Sequence, residues 1–194
     1  MPAEPDYDIK RFPYDEETFY ELVMYIAGAF RDDFTFGRIK LAKLIFNSDF
    51  RAMRELGQPI SGVRYIKDTW GHNPTQLLNA ELDLQASGEV DIIIGDGEEE
   101  PRFIRDDDRR RLVPKKDVEP RRLTSDQRAV VDAVIEEYRT TPAIAMSDES
   151  HKTLGWQVAG WRKEIPIESV FLAKPTARDL EEGRVVAERL GLVR

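Results

Sequence analysis

Between Phe46 and Leu77 the chain reads FNSDFRAMRELGQPISGVRYIKDTWGHNPTQL, and few architectures accommodate that order. An apolar helical pattern stops at Gly57, placed for the left-handed residue that closes a helix. Gln58-Pro59-Ile60-Ser61-Gly62 reads as a turn, and Val63–Lys67 alternates in strand fashion. Trp70-Gly71-His72-Asn73-Pro74 then breaks the strand before a new helix. At about 100° per residue, Asp49 falls on the apolar side of its helix, between Ile45, Met53 and Leu56. A carboxylate buried there is costly unless hydrogen-bonded. The pattern therefore predicts a partner for Asp49 among Tyr65, Arg64, Trp70, His151 and the backbone amides of the Gly62 turn, and a role as a pin between helix and strand.

The rest of the chain is mostly helical in its periodicity. Phe19, Leu22, Val23, Ile26 and Phe30 mark a first helix, with Asp15 as its cap and Pro13 as its limit. Thr35 is placed to cap the second helix. Lys40, Lys43, Asn47, Arg51 and Arg54 form its polar stripe, read as a wet edge, opposite Ile39, Leu41, Ala42, Ile45, Phe46, Met53 and Leu56. A third helix is predicted from about Thr75 to Ala86, with Leu77, Leu78, Leu82 and Leu84 as its apolar positions. Val90–Ile94 reads as a strand turning back towards Phe103-Ile104 or Leu112-Val113. Thr124 and Gln127 have capping-box spacing before Val130, Val131, Val134, Ile135 and Tyr138. Ser147 is placed to cap a short helix through Leu154. Ile165–Leu172 reads as extended, and Thr176 as the cap of a last helix ending at Gly191. Six helical patterns with a few short strands give an α+β, mainly α fold: a compact helical domain with a small β-hairpin or short antiparallel sheet. Residues 1–12 read as an arm, 13–194 as one domain, and 95–123 as a charged hairpin or linker.

Charge and residue types narrow the chemistry. Formal net charge is −8, which opposes binding to phosphate backbones. There is no cysteine, hence no disulfide, thiolate nucleophile or cysteine metal site. His72 and His151 are the only histidines, too few for a zinc site without carboxylates in every other position. No metal and no cofactor is predicted. Ser147, Asp148, Ser150 and His151 lie on one or two turns of helix, a poor arrangement for a triad. No phosphate-cradling glycine motif is present, and the Gly95-Asp96-Gly97 turn runs into three glutamates. The apolar run Leu22–Phe30 falls far short of the roughly 20 residues of a membrane helix. The N-terminus has no basic region followed by an apolar one. The chain reads as soluble, cytoplasmic and without a catalytic residue.

The order of helix with Asp49, then Gly57, Pro59, Ile60, Gly62, Arg64 and Tyr65, then Gly71 and Pro74, then Ser150, His151 and Trp156, resembles the SocA-like Panacea domain over roughly Tyr20 to Leu172. The chain departs from the family pattern at Phe46-Asn47-Ser48, where relatives are aromatic-rich, and at Gly71-His72-Asn73-Pro74, where they often have Gly-Pro. The resemblance implies an antitoxin that neutralises a cognate growth-inhibiting toxin by direct protein–protein binding, without enzymatic activity. Relatives are often linked to phages, which makes phage defence an expected setting. A related member delivers its toxin to a AAA+ protease, so a proteolytic adaptor is the alternative. A DNA-binding regulator, using the Lys40, Lys43, Arg51 and Arg54 face, ranks below both. The residues picked for contact with the toxin are Tyr65, Trp70 and His72 by the hairpin and Arg109, Arg110 and Arg111 in the charged segment.

Overall fold

The computed structural model describes residues 12–94 and 110–172. Helix α1 spans Glu16–Ala29 and α2 spans Arg38–Leu56. Strands β1 (Tyr65–Asp68) and β2 (Gly71–Pro74) follow, then α3 (Leu77–Ala86) and β3 (Val90–Ile94). Past the undescribed interval come β4 (Arg110–Pro114), α4 (Ser125–Tyr138), α5 (Ala143–His151), α6 (Leu154–Val158), β5 (Glu164–Ile165) and a 3-10 helix at Ile167–Phe171. The class is mainly α, with two small antiparallel sheets ordered β2-β1-β5 and β3-β4. Among the described residues no helix is long and apolar enough to cross a membrane.

Helix α2 is the axis of the molecule: α1, α4, α5, β2 and the 3-10 helix all pack on it. The reason lies in its composition. Ile39, Leu41, Leu44, Ile45, Phe46, Phe50, Ala52 and Met53 face several directions at once, so more than one neighbour is needed to cover them. The helix ends at Gly57 with φ 76°, as its spacing predicts. Helix α1 closes over one side with Phe19, Leu22, Val23 and Ile26, and Asp15 caps it through the Thr18 amide at 3.1 Å. Helix α4 closes another with Val130, Val131, Val134 and Ile135. Its capping box forms as the Thr124/Gln127 spacing requires.

Several expectations change. Only the far end of the α2 stripe is a wet edge: Arg54 is exposed and Asn47 and Arg51 are half-buried, but Lys40 and Lys43 are 3% and 2% exposed, the first closed in by the end of α4 and the second by β2 and α5. Thr35 does not cap α2; Gly37 occupies that position, while Thr35 bonds to Asp33 at 2.8 Å through its amide. Trp70–Pro74 is not a break. The chain turns tightly between Asp68 and Gly71 and returns as β2, with Tyr65 opposite Pro74 and Lys67 opposite His72. Proline is tolerated because β2 is an edge strand. Leu78 and Leu82 face outward, at 37% and 46% exposure; Leu77, Ala80 and Leu84 make the buried side of α3. Pro142, not Ser147, precedes α5. Ile165–Leu172 is not an extended run: Ile165 ends the two-residue strand Glu164–Ile165, and the 3-10 helix Ile167–Phe171 follows. Of the two hairpin partners, Leu112-Val113 pairs with β3. Phe103-Ile104, the Gly95–Gly97 turn, most of the arm and the Thr176 helix lie outside the described residues. The described part of the charged segment is no free linker: Lys115 pairs with Asp91 at 3.2 Å, Asp117 with Arg31 at 2.8 Å, and Arg122 with Glu17.

Candidate functional site: two buried polar centres on one helix

The first centre is Asp49, fully buried. Because α2 stops in a left-handed glycine, the turn after it folds back along the helix and aims its amides at the carboxylate. Asp49 Oδ1 accepts from the Ile60 amide at 2.8 Å and the Ser61 amide at 3.2 Å. Its Oδ2 accepts from the Ser61 hydroxyl at 3.0 Å and the Tyr65 hydroxyl at 2.6 Å. Both expected kinds of partner are present, the tyrosine and the turn amides. Burial pushes the Asp49 carboxyl up from its ordinary value, against the pull of these donors. Gly62 makes the turn possible. Its φ is 67°, and a Cβ there would stand 2.2 Å from the Pro13 carbonyl oxygen. The N-terminal segment crosses at that point, where the Asp15 amide donates to Ser61.

The second centre lies less than two turns earlier on α2. Lys43 Nζ donates to the His72 carbonyl at 2.9 Å. Burial brings its pKa down to about 7, partly offset by Asp68. The His72 ring stacks on Phe46 with centroids 3.7 Å apart. Its Nε2 meets the Thr153 hydroxyl at 3.3 Å, while Nδ1 has no hydrogen-bond partner. Burial, then Lys43 and His151, lower its pKa to about 2, so the ring is neutral. Asp68 is held by Arg162 at 2.7 Å and Asn73 at 2.9 Å. Gly71, at φ 101°, lets the hairpin press against α5: a Cβ would stand 1.9 Å from the Ser150 hydroxyl oxygen and 2.8 Å from Lys43 Nζ.

The remaining family-motif residues close the same region. The Ser147 hydroxyl donates to the Trp70 carbonyl at 2.8 Å, and Ser150 donates to the Ser147 carbonyl at 2.7 Å. Both serines thus bond to backbone, not to a histidine base. His151 stacks on Trp156 at 4.2 Å, and Lys67 Nζ sits 4.1 Å from the same indole ring. Arg64 pairs with Glu164 at 3.7 Å on the surface. Among the described residues no group of three or more histidines and acids is placed to hold a metal ion.

The residues picked for toxin contact divide. Tyr65 and His72 are 1% and 0% exposed, so burial removes both from any surface. Trp70 is half-buried, as are Arg110 and Arg111, and Arg109 lies outside the described residues. Arg111 is already engaged, with its guanidinium on the Arg31 carbonyl and over the Phe34 ring. The sequence reading missed Lys43 and Asp68 as members of a buried centre. No local signal marks them, since β2 and α5 close over Lys43 and Arg162 over Asp68, all from other parts of the chain. A separate cleft of about 450 Å³ lies between α2, α4 and the 3-10 helix, with Phe46 and Phe50 in its lining and Arg51, Glu137 and Lys152 among its charged residues.

No curated protein and no solved structure matches the chain. A family model described as antitoxin SocA-like, Panacea domain, matches residues 41–157. The match begins in α2 and ends in α6, and so encloses both buried centres, the β1–β2 hairpin and the Ser150–Trp156 segment. It spans more than half of the 194 residues, and the chain belongs to the SocA-like Panacea antitoxin family.

Proposed function

We propose that this protein is the antitoxin of a toxin–antitoxin pair and neutralises a growth-inhibiting toxin by forming a stable complex with it, without chemistry of its own. Family membership carries the reading. The use of the polar residues supports it. Asp49 is taken up by four donors, Ser147 and Ser150 by backbone carbonyls, and His72 is sealed at 0% exposure. These groups hold elements together and present no nucleophile–base pair to solvent.

Regulation of DNA finds less support. Of the stripe on α2, Lys40 donates to the Arg139 carbonyl at 2.9 Å, Lys43 to His72, and Arg51 pairs with Glu137 and Glu55. Arg54 donates to the Val170 carbonyl at 3.3 Å, so all four cations are committed within the protein. The test of the main reading is co-expression with the product of the adjacent open reading frame. Toxicity of that product alone, its relief by this chain and co-purification of the pair are expected. A harmless neighbour, or a pair that separates on a sizing column, rejects the reading. Delivery to a AAA+ protease has its own readout: toxin half-life would lengthen in a protease-null strain, whereas simple neutralisation leaves it unchanged.

A further inference from the structure

The stretch Ser150–Lys163, SHKTLGWQVAGWRK, contains no aspartate or glutamate, in a chain where acids outnumber Lys and Arg by 37 to 29. It carries Lys152, Arg162, Lys163 and two of the three tryptophans. Its second half folds into a turn. The Lys163 amide donates to the Gly160 carbonyl at 3.0 Å, with Trp161 and Arg162 between them. Arg162 has φ 60°, the one positive value outside glycine among the described residues. That turn position favours glycine or asparagine, so an arginine there is strained.

The surroundings hold the strain in place. The Arg162 amide donates to the Lys67 carbonyl at 3.1 Å, and its guanidinium pairs with Asp68 at 2.7 Å. The Lys67 amide donates to the Lys163 carbonyl at 3.0 Å, and Lys67 Nζ to the Ala159 carbonyl at 3.0 Å. A turn fastened at four points to β1 is preorganised, which lowers the cost of ordering it on binding. What it presents outward is apolar: Trp161 is 58% exposed and Val158 70% exposed. A large exposed aromatic on a rigid support, followed directly by the exposed Arg162 and Lys163, has the composition of an interface anchor. Its electrostatic complement is an acidic face.

We propose that the Gly160–Lys163 turn, together with Val158 and Lys67, is the surface on which this antitoxin seats an acidic face of its toxin. The proposal rests on the reading of the protein as an antitoxin that acts by binding. It also differs from what the overall charge of −8 suggests, which is a basic toxin.

The experiment uses the purified full chain and the purified product of the adjacent open reading frame, with affinity read by calorimetry. Trp161→Ala is expected to weaken binding about 30-fold or more, as loss of a central aromatic anchor does. The melting temperature should stay unchanged. Lys163→Glu is expected to weaken binding about tenfold, and less so at high salt. Phe34→Ala is the control, because Phe34 is 88% exposed on the α1–α2 connection; its affinity should match the wild type. Trp161→Ala that binds like the wild type overturns the surface and leaves the antitoxin reading standing. Phe34→Ala that weakens binding equally removes its specificity, and tighter binding by Lys163→Glu means a basic partner; either overturns it. A dimer of the chain alone that Trp161→Ala dissociates would assign the turn to self-association instead. A wild-type chain that does not bind at all sinks the antitoxin reading and the surface together.

Discussion

Asp49 and Lys43 sit on the same helix, less than two turns apart, and both are buried. Burial drives each towards its neutral form, by raising the carboxyl and lowering the ammonium. They differ in what surrounds them. Asp49 meets two amides and two hydroxyls, which occupy both of its oxygens. Lys43 has a carbonyl at 2.9 Å and a carboxylate, Asp68, already shared with Arg162 and Asn73. Beside it His72 keeps one ring nitrogen without a partner. The acid is a saturated pin, whereas the lysine is a tolerated burden on a site fixed by backbone packing. The same burial therefore predicts opposite consequences of mutation at the two positions.

The largest effect is expected at the pin. Asp49→Ala leaves the Ile60 and Ser61 amides unpaired in the core and the Tyr65 hydroxyl with only its 3.3 Å contact to the Ile45 carbonyl, at a cost of roughly 3–5 kcal/mol. Chemical denaturation measures it. Asp49→Asn should fall between wild type and alanine, because it keeps one acceptor but aims a donor at two hydroxyls. A loss below about 1 kcal/mol for alanine would break the contrast. Gly71→Ala is expected to follow closely, at about 3 kcal/mol. It combines a φ of 101° with a Cβ driven into Ser150. The melting curve of that variant reports how tightly the hairpin is pressed onto α5.

Asp49 was legible because its argument is local. Helical pitch alone puts it among apolar residues, and the glycine stop with the turn behind it supplies nearby donors. The strands and caps that depend on adjacent residues, such as the Thr124 box and the Gly57 stop, could be read in the same way. Lys43 was misread because lysine is rarely buried. What covers it comes from β2, 29 positions on at His72, and from α5 well beyond that, and no short window of sequence contains that information. The β2 strand was hidden for a related reason. Glycine and proline usually end strands, but Gly71 opens this one at the hairpin and Pro74 closes it on an unpaired edge.

The lysine makes a prediction with a definite sign. Its folded pKa, about 7, lies below the ordinary value of 10.5. Above 10.5 both states are neutral and the penalty vanishes. As pH falls towards 7, the unfolded chain binds a proton that the folded chain resists, and stability is lost. Wild type should therefore gain on Lys43→Met as pH rises from about 7 to 10, by about 1.4 kcal/mol per unit at the steepest. Methionine keeps the volume and removes the titration, so the difference isolates this group from others that titrate in the range. A flat difference would mean that Lys43 stays charged in the fold, with water or Asp68 compensating it.

The smallest effect at neutral pH is expected at His72, and its sign on acidification separates the two centres again. The ring stacks on Phe46 and offers only a 3.3 Å contact to Thr153, whose hydroxyl also donates to the Ser150 carbonyl at 2.9 Å. His72→Phe keeps the stack and abandons little, so the change at pH 7 should stay within about 1 kcal/mol. The depressed pKa, about 2 against 6.5, means that stability is full above 6.5 and drains as pH falls towards 2. Phenylalanine has no proton to take up. The variant should thus overtake the wild type below about pH 6, with the gap widening on further acidification as urea midpoints are compared at successive pH values. Should the two acid limbs coincide, the imidazole would be protonated inside the fold, and the Lys43 ammonium beside it could not be the costly neighbour that the geometry makes it.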